Sequence, residues 1–184
     1  SYDVIVQGES GVMHLTGDPD GGPTKFGLSI ADEVAGMLAV EGILLSLFAR
    51  ERTGRGERVD ISMLDGMLAL LTYHAQNGWA TGESPRRRGN QHPPIVPYQT
   101  WRTADGWMNL GVASEKLWAE FCRQIDRDDL GTDRRFAINA DRVEHRDEIV
   151  AILSPVLESR STDEWIERFT SAGIPCGRIH DVAE

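Results

Sequence analysis

Asp32 is the residue in this chain whose setting most suggests chemistry. It follows a turn-rich stretch, Thr16-Gly17-Asp18-Pro19-Asp20-Gly21-Gly22-Pro23, and it opens the apolar run Gly36 to Phe48. A carboxylate where a loop becomes a helix sits among unpaired backbone N–H groups at the positive end of the dipole. That setting suits an N-cap, and it equally suits a nucleophile exposed at a cleft. Met63 lies in the alternating stretch Val59-Asp60-Ile61-Ser62-Met63, where a methionine reads first as core. His14, His74, His92, His145 and His180 have no metal-ligand spacing with one another or with Cys122 and Cys176, so no metal site is expected. His92 stands apart from the other histidines because it falls in an irregular, Gly- and Pro-rich loop.

The elements that would position these residues follow from periodicity. Residues 1 to 30 read as irregular, with a short strand near Val4-Ile5-Val6 and turns at Gly17, Gly21 and Gly22. From Asp32 to Arg52 the residues Met37, Val40, Ile43, Leu44, Leu47 and Phe48 keep helical spacing, and Gly54 supplies the stop. Val59 to Met63 reads as a strand, and Leu64 to Asn77 as helix. That helix–strand–helix order suits a parallel sheet with covering helices. Between Thr81 and Pro97 no regular element is predicted, which places a domain boundary or a mobile loop there. The expected domains are residues 1–84, part of a large α/β domain carrying Asp32, and residues 85–184, a small α+β domain. In the latter, strands are predicted at Tyr98–Arg102 and Trp107–Val112, turned by Ala104-Asp105-Gly106. Helices follow at 115–125, 141–159 and 162–172, the last with capping-box spacing at Ser161 and Glu164.

Bulk properties bound the function. The 184 residues are 40% hydrophobic and 26% charged, an ordinary globular composition. Twenty-nine acidic against nineteen basic residues give a net charge of −10. That balance argues against nucleic-acid partners and anionic membranes, but not against an anionic small molecule in a local basic pocket. Two distant cysteines suit free thiols in a reducing cytoplasm, and no segment approaches the ~20 apolar residues of a membrane span. The expected location is cytoplasmic.

Several motifs in order carry a resemblance. They are Tyr2-Asp3-Val4-Ile5-Val6-Gln7-Gly8-Glu9-Ser10-Gly11, Thr16-Gly17, Gly22-Pro23-Thr24-Lys25, Asp32, Gly42-Ile43-Leu44, Arg50 to Gly56 and Val59 to Asp65. Arg88-Gly89-Asn90, Pro97-Tyr98-Gln99-Thr100-Trp101, Asp105-Gly106-Trp107 and Gly173-Ile174-Pro175-Cys176-Gly177 continue it. The chain resembles the family III CoA-transferases, the formyl-CoA and carnitine CoA-transferase type. Against that family it looks like a fragment without an N-terminal nucleotide-binding-like portion and a C-terminal tail.

The resemblance implies an α/β fold in which a Rossmann-like large domain and a small domain form an interlocked homodimer. It implies transfer of coenzyme A between an acyl-CoA and a free carboxylic acid, with Asp32 as nucleophile and no cofactor beyond coenzyme A as acyl-CoA substrate. Tyr2 and Asp3 match a pair lining the family's active site. Met63 matches a position near the acyl-CoA, and Gly89, Asn90 and Gln91 match a loop that closes over the thioester. The run Arg86 to Arg88 could attract the phosphates of coenzyme A, and it equally suits solvated surface. Two alternatives stay open: an α-methylacyl-CoA racemase, and a non-catalytic paralogue or assembly fragment. The racemase needs a histidine where this chain has Tyr2, and a phenol with pKa near 10 is a poor base. A degenerate paralogue has no reason to keep Asp32.

Overall fold

In the computed structural model, which describes residues 2–184, the chain divides into two compact units, one ending at Gly89 and one spanning Asn90–Glu184. Among the described residues the regular elements of the first are all helices: α1 (Asp3–Glu9), α2 (Val12–Leu15), α3 (Ile30–Thr53), α4 (Met63–Ala69) and α5 (Thr72–Thr81). The second combines β1 (Tyr98–Arg102), β2 (Trp107–Gly111) and β3 (Cys176–Arg178) with α6 (Glu115–Gln124), α7 (Asp128–Thr132), α8 (Asn139–Glu144), α9 (Arg146–Leu157) and α10 (Thr162–Ser171).

In the first unit, α3 forms where its apolar run predicts a helix. Asp32 and Glu33 occupy its first turn and Arg50 and Arg52 its last, the charge order that complements the macrodipole. Gly54 closes it at φ 69° and donates its N–H to Arg50 O at 2.8 Å. The strand expected at Val4-Ile5-Val6 is instead part of α1. Burial explains this: Val6, Gln7 and Ser10 are buried at helical spacing, while Val4 and Ile5 are exposed.

The strand expected over Val59–Met63 does not form either, and the first unit has no sheet among its described residues. Val59 lies against α3 at Gly42, where an added Cβ would come within 2.6 Å of Val59 Cγ1. Ser62 is the N-cap of α4, accepting the Asp65 N–H at 3.1 Å, and Met63 is the first helical residue rather than a strand residue. The single helix expected from Leu64 to Asn77 breaks at Leu70–Leu71 into α4 and α5. A small cluster of Val6, Ala31 and Met67, flanked by Met63 and Leu64, packs α1, α3 and α4 together.

The second unit is an antiparallel sheet of order β1-β2-β3 packed on its helices. Tyr98 pairs with Gly111, Thr100 with Asn109, Asn109 with Gly177, and Trp101 with Met108. Alternation sends Trp101, Met108 and Leu110 into a core shared with Trp118, Phe121 and Phe169. Arg142 is fully buried and satisfied. Its guanidinium donates to Val96 O at 2.7 Å, Phe136 O at 2.8 Å and Glu115 Oε2 at 2.9 Å, and it lies over the Trp118 ring. Burial would raise the Glu115 pKa, but the Asn139 N–H and the Arg142 guanidinium outweigh it and hold the carboxyl below its ordinary range. The capping box of Ser161 and Glu164 forms as its spacing predicts. The helix expected over 141–159 is split by His145 into α8 and α9, and β3 is three residues with no sequence expectation behind it.

Candidate active site

Asp32 is the third residue of α3, inside the first turn rather than at the cap, which is Ser29. Ser29 makes no side-chain cap hydrogen bond. The capping acceptor comes from another helix: Asp3 Oδ1 accepts the N–H of Ala31 at 2.9 Å. Asp3 thereby takes over an end donor that a local cap would otherwise satisfy, one residue before Asp32.

Gln7, fully buried, completes the arrangement. Its amide nitrogen donates to Asp3 Oδ2 at 2.8 Å and to Leu28 O at 3.3 Å, and its amide oxygen accepts the Phe26 N–H at 2.8 Å. Every polar atom of the Gln7 amide is thus committed, so the amide can point only one way. Gln7 pins Phe26 and Leu28 of the approach to α3, and Asp3 pins the helix start. The sequence held one signal for this pair, two polar residues at i and i+4 on one helix face.

Asp32 itself is exposed and lines a shallow open depression of about 560 Å³ with Glu33, Gly36, Met37 and Val40. Gly36 leaves open space where a Cβ would stand, so the depression owes its depth beside Asp32 to a missing side chain. Met63 is half-buried against the cluster containing Ala31, the neighbour of Asp32. Asp3 is thus tied to the start of α3 one residue before Asp32, while Met63 belongs to the apolar cluster of α1, α3 and α4 and does not line the depression beside Asp32. Tyr2 precedes α1 and is 83% exposed, while its carbonyl accepts the N–H groups of Ile5 and Val6. Gly89, at φ +57°, donates its N–H to Gly17 O at 3.0 Å and closes the first unit. Asn90 and Gln91 begin the second unit.

On the outer face of the second unit's sheet an open groove of about 640 Å³ is lined by Asn90, Tyr98, Thr100, Asn109, Gly111 and Gly177, among others. Thr100 Oγ1 donates to Asn109 Oδ1 across the strands at 2.7 Å. The Tyr98 ring lies over Gly111, where an added Cβ would meet ring carbons at 2.9 Å. His92 packs beside Tyr98 with ring centroids 4.9 Å apart. Desolvation, helped by the charge of Arg146, lowers its pKa. Asp105, in the β1–β2 turn, accepts the Thr162 N–H at 2.7 Å and the Thr162 hydroxyl at 2.9 Å, which hold its carboxyl below the ordinary range.

Cys122 and Cys176 are both free. Burial pushes the Cys122 thiol up to about 12, so it is a packing residue rather than a nucleophile. Among the described residues no group of three or more His, Cys, Asp or Glu could hold a metal ion. No helix among them is long and apolar enough to cross a membrane.

Comparison with known proteins sets this geometry in context. The sequence model described as CoA-transferase family III matches residues 1–184. The acetyl-CoA:oxalate CoA-transferase of Acetobacter aceti is 40% identical, over 100% of this chain and 48% of its own length. The succinyl-CoA:glutarate CoA-transferase of Mus musculus is 34% identical, over 100% of this chain and 42% of its own length. The crystal structure of a CAIB/BAIF family protein from Brucella suis superposes with a TM-score of 0.86 at 36% identity, covering 100% of this chain and 48% of that one. The chain spans about half the length of the curated relatives it matches.

Proposed function

Because the chain belongs to CoA-transferase family III, we propose that it carries the nucleophile of an enzyme moving coenzyme A from an acyl-CoA to a free carboxylic acid, and that Asp32 is that nucleophile. One observation carries the reading. Asp32 stands exposed in the first turn of α3 while a separate carboxylate, Asp3, does the capping. With the Ala31 N–H met by Asp3, capping does not require the Asp32 carboxylate, which supports the nucleophile reading over the cap reading.

The steps balance without a redox change. A carboxylate oxygen of Asp32 attacks the thioester carbonyl carbon, the C–S bond breaks, and coenzyme A leaves as its thiolate. The thiolate attacks the aspartyl carbonyl of the mixed anhydride and releases the donor acid, leaving coenzyme A as a thioester on Asp32. The acceptor carboxylate then attacks this thioester, and the thiolate released takes the acceptor acyl group and frees Asp32. Nothing in the sequence calls for a cofactor beyond coenzyme A itself. Tyr2 would donate to a developing oxyanion and Met63 would border the acyl group.

The acids are dicarboxylic in this reading, on the names of the oxalate and glutarate enzymes to which the chain is similar. We place the reaction in the cytoplasm on the two free thiols. The working form is an intertwined homodimer. Its support is the family resemblance; α3 leaves Met37, Val40, Ile43, Leu44, Leu45 and Phe48 exposed in a chain of about half its relatives' length, an apolar patch for the rest of the protein or a second copy to cover.

The test is made on the complete protein. Incubation with acyl-CoA followed by hydroxylamine should label the peptide containing Asp32, and Asp32→Asn should abolish transfer. An unlabelled Asp32, or full activity of that variant, refutes the mechanism. Exchange of the α-proton of a 2-methylacyl-CoA at a rate matching transfer would restore the racemase. Sedimentation should show a dimer that survives nanomolar dilution, and a monomer retaining full activity would refute the assembly.

A further inference from the structure

Two guanidinium groups have nitrogens shielded from solvent, and their surroundings are opposite. Arg142 is surrounded by acceptors, with two carbonyls and a carboxylate within 2.9 Å. Arg87 has both Nε and Nη1 shielded from solvent with no hydrogen-bond partner among the described residues. An arginine cannot shed its proton in a protein, so the charge stays, and the two shielded N–H groups are donors with no acceptor.

The position of Arg87 is built rather than accidental. Its Cδ lies 3.5 Å from where a Cβ would stand on Gly17, and that same Cβ would fall 2.5 Å from Thr24 Oγ1. Gly17 takes φ +112°, so glycine alone fits this turn without strain. The Gly89 N–H donates to Gly17 O at 3.0 Å and staples the arginine segment to the turn. Arg86 and Arg88, on either side, are exposed. Of the three consecutive arginines, one is held with its stem against a glycine and with its Nε and Nη1 donors unspent.

We propose that Arg87 receives an oxyanion of the substrates, either the distal carboxylate of a dicarboxylic acid or a phosphate of coenzyme A. The guanidinium is planar and weakly hydrated and presents several fixed donors, a match for either group. The assignment rests on the CoA-transfer reading for its choice of ligand. The unspent donors stand independently of that reading.

The experiment uses the complete protein as wild type, Arg87→Gln and Arg87→Lys, with Arg86→Gln as the solvated control. One arm compares glutarate with its monoamide as acceptor. The other compares an acyl-CoA with the corresponding acyl-pantetheine, which lacks every phosphate of the nucleotide. If Arg87 holds the distal carboxylate, Arg87→Gln raises KM for glutarate tenfold or more, leaves the monoamide alone, and erases the preference between them. If it holds a phosphate, the same change appears for acyl-CoA and not for acyl-pantetheine. Arg87→Lys recovers part of either effect, and Arg86→Gln shows neither.

A thermal-shift measurement separates this proposal from the reading beneath it. Glutarate or coenzyme A should raise the melting temperature of the wild type and not of Arg87→Gln, even if no transfer occurs. Both KM ratios unchanged within twofold in Arg87→Gln overturn the proposal, whatever happens to kcat. Failure of both Arg87 variants to fold also overturns it, by assigning the charge to a structural pair.

Discussion

Replacing Asp3 by asparagine changes one oxygen to an amide and should still unsettle the start of α3. The introduced side chain keeps an oxygen for the Ala31 N–H, now met at 2.9 Å. Its new NH2 must then face the Gln7 amide nitrogen, at present 2.8 Å from Asp3 Oδ2. Gln7 cannot turn over to help, because its oxygen accepts the Phe26 N–H. Two donors therefore confront each other beside a buried side chain, at a cost of about 1–3 kcal/mol. Turning the new amide over instead gives Gln7 its acceptor and strips the cap, at a cost of about 1 kcal/mol. Either way the complete protein should lose about 1–3 kcal/mol in denaturant unfolding. Transfer should fall by up to roughly a hundredfold if the first turn of α3 shifts by about 1 Å.

The second variant makes this reasoning falsifiable. In Asp3→Asn/Gln7→Glu the carboxylate at position 7 accepts both the Phe26 N–H and the introduced amide, leaving only Leu28 O without its donor. The double variant should be more stable than the sum of the singles predicts by about 1 kcal/mol, within the range for residues sharing a network. Additive effects, or an Asp3→Asn protein with an unchanged unfolding midpoint, would refute the account of Asp3 as the interhelix cap.

Two further outcomes follow from single contacts. Gly42→Ala would place a methyl 2.6 Å from Val59 Cγ1; overpacking of about 1–3 kcal/mol should exceed the helix-propensity gain of up to about 1 kcal/mol. Adding Val59→Ala should recover stability, and a Gly42→Ala protein more stable than wild type would show that Val59 does not pack there. The second concerns His92, whose pKa is lowered in the folded chain by desolvation and then by Arg146. The unfolded chain takes up its proton first, near pH 6.5, so the full stability is present above that value. It is lost as pH falls from about 6.5 toward the lower folded pKa. Unfolding midpoints followed by tryptophan emission should drop between pH 7.5 and 5.5 and flatten in His92→Gln, and an unchanged slope in that variant refutes the assignment.

What could be read from the residues alone divides along the range of the forces involved. Helix α3 was legible because twenty-four residues of apolar spacing end in a glycine that takes φ 69°. The Ser161–Glu164 box was legible because its two hydrogen bonds are local in sequence. The stretch Val4-Ile5-Val6 misled because β-branched residues favour strands, while burial of Val6 and Gln7 against α3 and α4 decided for helix. Val59 to Met63 misled for a similar reason: its alternation is real, but Val59 serves contact with Gly42 and Ser62 serves capping. At the site, the place of Asp32 at a helix start was legible. The Asp3–Ala31 bond was not, because its partners are 28 residues apart. No local rule says which carboxylate will cap which helix.

Helix α3 joins two properties that bear on each other. Its first turn holds Asp32, and the next turns hold Gly36, Met37 and Val40, which with Asp32 and Glu33 line the open depression. A carboxylate in water is a weak nucleophile, since its hydration must be stripped before it can attack a thioester. The exposed Met37 and Val40 begin the same apolar surface that runs on through Ile43, Leu44 and Phe48. Cover of that surface, by the rest of the complete protein or by a second copy, would bury the apolar wall of the depression and remove water beside Asp32 in one act. Hydrophobic association would then supply part of the desolvation that the chemistry requires, and an uncovered α3 would hold Asp32 in its proper place on the helix but in the wrong medium.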